Sequence, residues 1–149
     1  MHQLSSITKS KHILFIQRVV EFEKVWGLES EDGFATSSSN DDEEENIRSI
    51  ILFWSDKAYA KALAKEDWID YYAREMTLSE FLENWLVGMY NDNFLVGTNW
   101  DANMFGVESE PLLLALEILA ELRKKNRAIS FSKYNDLDDF ESQILSVIE

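Results

Sequence analysis

Few residues in this 149-residue chain have side chains suited to chemistry. There are two histidines, His2 and His12, and no cysteine. The lack of cysteine removes disulfides, thiolate zinc sites, CxxC redox chemistry and a cysteine nucleophile. Neither histidine belongs to an HExxH or HxH pattern, so a His-based triad or a two-His zinc site is not expected. His12 falls on the polar side of a first helix and reads as a surface residue. P-loop, dinucleotide-binding and nucleophile-elbow patterns are all missing, and no cofactor or metal is expected. Carboxylates remain. Glu66, Asp67 and Asp70 lie close in sequence, and Asp101 follows later. A hydrolase would need two of them to converge in a pocket with at least one carboxyl pKa raised.

Binding chemistry is better represented. Gly97-Thr98-Asn99-Trp100-Asp101-Ala102-Asn103 is the densest polar and aromatic cluster. Its Asn and Asp residues suit a tight turn. As a recognition tip it would offer Trp100 as an aromatic anchor, with Thr98, Asn99, Asp101 and Asn103 supplying donors and acceptors. Trp68, Tyr71 and Tyr72 form a second aromatic group that could line a groove. Asp41, Asp42, Glu43, Glu44 and Glu45 make an acidic patch. Calcium loops alternate their acids around a Gly, whereas these are consecutive, so the patch reads as a solvated loop or as a surface that steers a basic partner.

The elements that must position these groups follow from periodicity. Ile7 to Phe22 reads as a helix with Ile13, Ile16 and Val20 on one stripe. Val25 to Leu28 is a strand, Asp32-Gly33 a hairpin turn, and Phe34 to Ser38 the return strand. Residues 39–46 form a loop. Ile47 to Trp54 is nearly continuous apolar, as in a strand covered on both faces. Ser55 is placed to cap a helix from Asp56 to about Lys65. Trp68, Tyr71 and Tyr72 lie at helical spacing, which leaves open whether that helix continues. Thr77 to Glu80 is a capping box ahead of apolar positions 78, 81, 82, 85, 86 and 89. Phe94 to Thr98 and Met104 to Val107 read as two strands. Pro111 opens a deeply buried helix through Leu122, and apolar residues 137, 140, 144, 145 and 148 mark a last amphipathic helix. The order α-β-β-β-α-α-β-β-α-α predicts an α+β fold: a mostly antiparallel sheet of about five strands with helices packed on it. One domain over 1–126 and a C-terminal helical extension over 127–149 are expected.

Charge narrows the partners. The chain carries 14 Lys+Arg against 28 Asp+Glu, a net charge of −14, which disfavours nucleic acid and anionic membranes. Residues 29–46 hold eight of the acids and no base, so the acidity is largely local. No signal-peptide pattern opens the chain and no apolar run is long enough to span a membrane, which makes the cytoplasm the expected location.

The residues also carry a resemblance. Val25-Trp26-Gly27-Leu28 with Asp32-Gly33, then Leu52-Phe53-Trp54-Ser55 with Ala58 and Ala60, then Trp68, Leu78, Phe81-Leu82 and Trp85-Leu86, then Val96-Gly97-Thr98-Asn99-Trp100-Asp101, form an ordered set over about residues 10–122. This set resembles the bacterial domain of unknown function 2750 family. The resemblance implies a small α+β domain and brings no catalytic residues with it. The family pattern usually has Pro before the middle-strand Trp, where Phe53 stands here. The layout is also similar to small bacterial proteins of the enhanced-serine-sensitivity and toxin-immunity type, which act by binding.

Three functional readings follow. The first is a non-catalytic module that binds another protein, of inhibitor or immunity type, with a basic partner drawn by charge. The second is a carboxylate hydrolase, and the third is a homodimeric accessory or structural module built on the Trp68–Tyr72 region or the terminal helix.

Overall fold

The protein is described by a computed structural model covering residues 6–38 and 47–148. The acidic patch Asp41–Glu45 therefore lies outside the described residues. Helix α1 (Ser6–Phe22) leads into β1 (Lys24–Ser30), and the turn at Asp32 returns the chain as two short strands, β2 (Gly33–Phe34) and β3 (Thr36–Ser38). Strand β4 (Ser49–Trp54), helix α2 (Lys57–Ala62), a 3-10 turn (Glu66–Trp68) and strand β5 (Tyr72–Thr77) follow. Helix α3 runs through three consecutive stretches, Leu78–Glu80, Phe81–Leu86 and Val87–Asn91, the middle one wound as a π-helix. Strands β6 (Leu95–Thr98) and β7 (Val107–Ser109) precede helices α4 (Pro111–Lys124) and α5 (Leu137–Ile148).

The fold is α+β, with one seven-stranded, mostly antiparallel sheet. Its one parallel pair is β4 with β6, in the register Ile50↔Leu95 to Phe53↔Thr98. β1 lies between β5 on one side and β2 with β4 on the other. It touches β4 directly only at Trp26↔Trp54 and Gly27↔Phe53. Beyond that point the return arm of the hairpin wedges between them, β2 pairing with β1 and β3 with β4. Gly27 permits the wedge, since a Cβ there would lie 2.5 Å from Phe34 Cε2.

The sheet has seven strands where about five were expected, for two reasons. The return arm splits at Ala35, whose N–H bonds back to Leu28 while its carbonyl accepts from Leu52 N–H. The second reason is β5: Tyr72–Thr77 is a strand paired with Lys24–Glu29 of β1, although Trp68, Tyr71 and Tyr72 have helical spacing. Helix α2 also ends at Ala62 rather than near Lys65, with Asp56 at its N-cap and Ser55 one residue outside. The strand expected at Met104–Val107 forms at Val107–Ser109 instead.

Alternation along β4 sends its side chains to two cores. Ile51 and Phe53 join the main core with α1, α3, α4 and α5, while Ile50, Leu52 and Trp54 face a smaller one under α2. Phe34, Phe53, Phe81 and Trp85 interlock in the main core, Phe34 and Trp85 with centroids 4.4 Å apart. The segment after residue 126 docks on this body. Phe140 and Ile144 are buried in the main core, and Phe131 and Tyr134 stack around Phe140. Glu83, in the π-helical stretch, is buried, and its carboxylate accepts the N–H groups of Ser132 and Lys133 at 2.8–3.1 Å. Arg127 donates to the carbonyls of Val20 and Glu21.

Candidate functional site

The parallel pair β4 and β6 ends side by side, and the chain leaving each strand brings polar groups together. This is the position, outside the carboxyl ends of parallel strands, where ligands gather in open sheets. At the end of β6 stand Thr98, Asn99, Trp100 and Asp101, and at the end of β4 stand Ser55 and Asp56. Helix α1 crosses beside them and adds Lys11, His12 and Arg18.

Asn99 is the hub. Its φ of 50° lies in the left-handed region, which Asn enters more readily than most residues. Its Oδ1 accepts Ser55 N–H at 2.9 Å, and its Nδ2 donates to Ser55 Oγ at 3.1 Å and to the Lys11 carbonyl at 3.3 Å. Ser55 Oγ donates on to Asp56, which Arg18 holds with two bonds of 2.6 and 2.8 Å. Burial pushes the Asp56 carboxyl up, but the bonds from Arg18 and Ser55 and the Arg18 charge outweigh it and hold the pKa below the ordinary range.

His12 is buried and not on the surface as its helical position suggested. Its Nδ1 is 2.7 Å from Thr98 Oγ1 and its Nε2 is 3.0 Å from Glu117 on α4. The ring therefore bridges the Thr98 hydroxyl and the Glu117 carboxylate, one through each nitrogen. A hydroxyl, an imidazole and a carboxylate in this order have the connectivity of an activated nucleophile. Thr98 is 0% exposed, so no substrate reaches its oxygen. The arrangement instead ties β6, α1 and α4 together.

Trp100 is 4% exposed and does not project as the expected aromatic anchor. Its ring packs over the bare backbones of Gly97 and Gly106, where added Cβ atoms would collide with it. Its N–H donates to the Val107 carbonyl at 3.0 Å, and its own carbonyl accepts the Trp54 N–H at 2.9 Å. Trp68 and Tyr71 pack, half-buried, against the same small core. Tyr72 is exposed on β5 and donates to Glu29.

With Trp100 folded inward, the tip of the 99–106 loop consists of Ala102, Asn103, Met104 and Phe105, all exposed. Asp101 fixes it. One carboxylate oxygen accepts Asn103 N–H at 2.9 Å and Phe105 N–H at 3.2 Å, and the other pairs with Lys11 at 2.7 Å. Asp101 N–H also bonds to the Phe105 carbonyl, which Lys11 approaches at 3.4 Å. Burial raises the Asp101 pKa, and the bonds from Lys11, Phe105 and Asn103 overcome that and lower it. Phe105 is thus held at its backbone while its ring is 58% exposed. Met104 beside it has a φ of 63°, left-handed backbone in a residue that is not glycine.

Of the residues the sequence singled out, Thr98, Asn99, Trp100, Asp101 and Asn103 are brought into one loop, most of them as its support. Lys11, His12, Arg18, Ser55, Asp56 and Glu117 are part of the same network and were not anticipated. Met104 and Phe105, the exposed apolar pair, were read as the start of a strand. Glu66, Asp67 and Asp70 are exposed, and Asp101 carries a lowered pKa, the opposite of what a general acid requires. Among the described residues no group of three or more His, Cys, Asp or Glu could hold a metal ion, and no helix is long and apolar enough to cross a membrane.

No functionally curated protein and no solved structure matches the chain. Residues 12–118, which span every strand described above and the whole braced loop, match the model of the family described as "Protein of unknown function (DUF2750)". That match covers more than half of the chain, and the chain belongs to that family.

Proposed function

We propose that this protein is a non-catalytic module that binds another protein, of inhibitor or immunity type, with the 99–106 loop as its recognition element. The observation that carries this reading is Phe105, a large apolar side chain in solvent on a backbone fixed by Asp101 and Lys11. Scattered exposed apolar residues are ordinary. A rigid one at a loop tip is different, because little conformational freedom is lost when a partner covers it. Ile7, one turn before Lys11 on the same stripe of α1, is also exposed. The net charge of −14 favours a basic partner and speeds its approach.

The test is capture of partners by the tagged full chain from a lysate of its source, at low and moderate salt, beside Phe105→Ala. A basic protein held by the wild type, weakened as salt rises and lost from Phe105→Ala is the expected result. The variant should melt within about 0.5 kcal/mol of the wild type, as exposed substitutions do. A variant that retains the partner as well as the wild type refutes the assignment of the loop, and the absence of any captured partner refutes the reading as a whole.

A further inference from the structure

The loop also holds the most exposed methionine among the described residues. The chain has four methionines and no cysteine. Met76 and Met89 are 2% and 3% exposed in the main core, whereas Met104 is 37% exposed at the loop tip beside Phe105. An oxidant reaches a thioether at a rate set by its access to the sulfur, and here no thiol in the same chain competes.

We propose that Met104 is an oxidation site that switches off the recognition loop, an inference that rests on the loop being the binding element. The step is a two-electron oxygen transfer from a hydroperoxide. The Met104 sulfur gains the oxygen and becomes a sulfoxide, and the O–O bond breaks, with hydrogen peroxide leaving as water. The product replaces an apolar, flexible side chain by a polar, chiral one at the loop tip beside Phe105. A partner pocket shaped for the Met104–Phe105 pair would then have to bury a sulfoxide oxygen without a donor matched to it. The backbone bonds of Asp101 do not involve the sulfur, so the fold is expected to persist while binding is lost. Reduction by a thiol-dependent sulfoxide reductase restores the thioether.

The experiment treats the full-length protein with dilute hydrogen peroxide, maps oxidation by peptide mass spectrometry, and measures capture of the partner that the untreated protein holds. Met104→Leu keeps an apolar side chain of similar size that cannot form a sulfoxide. Expected are oxidation at Met104 well ahead of Met76 and Met89, capture by the wild type weakened about tenfold or more, capture by Met104→Leu that is the same before and after peroxide, and an unchanged melting curve. Equal oxidation of Met76 and Met89 overturns the inference, as does undiminished capture by protein oxidised at Met104. The second outcome, with Phe105→Ala still losing the partner, refutes the switch and leaves the loop assignment standing. Capture that survives Phe105→Ala refutes the loop assignment itself.

Discussion

Replacing Asn99 by alanine tests the network behind the loop most directly. Two costs follow from its geometry. Without Oδ1, the buried N–H of Ser55 has no acceptor, and an unsatisfied buried donor costs about 1–3 kcal/mol. At a φ of 50°, alanine loses the local polar compensation that lets asparagine occupy left-handed backbone, which adds roughly 1 kcal/mol. Ser55 Oγ still donates to Asp56, so the remainder of the chain of bonds survives. The expected loss is therefore about 2–4 kcal/mol, and about 3 °C of melting temperature for each kcal/mol in a chain of this size. Asn99→Gly separates the two costs. It loses the same hydrogen bonds but accepts the backbone angle, offset in part by its greater freedom when unfolded, and should be milder than alanine by roughly 0.5–1 kcal/mol. Urea unfolding of the three proteins, with unchanged slopes, gives the numbers. An alanine variant within about 0.5 kcal/mol of the wild type, or a glycine variant as damaged as alanine, would refute the reasoning.

Other parts of the structure make further predictions. Asp56 and Asp101 titrate lower folded than unfolded. The unfolded chain thus takes up protons first, and the stability these groups contribute is complete above about pH 4 and is lost as pH falls through their folded values. Urea midpoints should hold down to about pH 4 and fall below it, and Asp101→Asn should flatten that fall; an unchanged slope counts against the Asp101 contacts. Gly27→Ala puts a Cβ 2.5 Å from Phe34, so the ring must leave its place between Phe53 and Trp85, at about 1–3 kcal/mol and with an altered near-UV spectrum. Glu83→Gln removes the charge and, with its carbonyl at the Oε1 position facing Lys133, sets its NH₂ against Ser132 N–H, and limited trypsin digestion at Lys133 should accelerate before the rest of the chain is cut. Cleavage at the wild-type rate would show that Glu83 does not hold the segment.

Much of the fold was legible in the sequence because its signals are local. Thr77 caps its helix as the Thr77–Glu80 pattern implied, its Oγ1 accepting Glu80 N–H at 3.0 Å, and Pro111 opens α4. β4 is covered on both faces, as its unbroken apolar run implied. β5 was hidden because Ala73, Arg74, Glu75 and Met76 are good helix formers, and only the six-residue pairing with β1 makes them a strand. The site was legible by place more than by role. The loop at 97–103 stood out, but the inward turn of Trp100 depends on Gly97 and Gly106 lying against its ring, a contact that spacing does not reveal. His12 was misplaced for a related reason. A helical wheel separates apolar from polar residues, and it does not show that the polar side of α1 faces Thr98 and Glu117 rather than water.

The two faces of the sheet differ in how much covers them. Among the described residues, one side buries twenty-two apolar residues under four helices, whereas the other buries nine under the short α2 and the 3-10 turn. A layer that thin opens at a lower free energy than the whole molecule. Amide hydrogens of α2 should accordingly exchange with solvent through partial openings, while those shared by β4 and β6 wait for global unfolding. Trp54 and Trp100 both lie beneath the thin layer. Their emission would shift to longer wavelength when it lifts, with the helical signal in far-UV dichroism nearly unchanged, so fluorescence and dichroism should report two transitions in one chain.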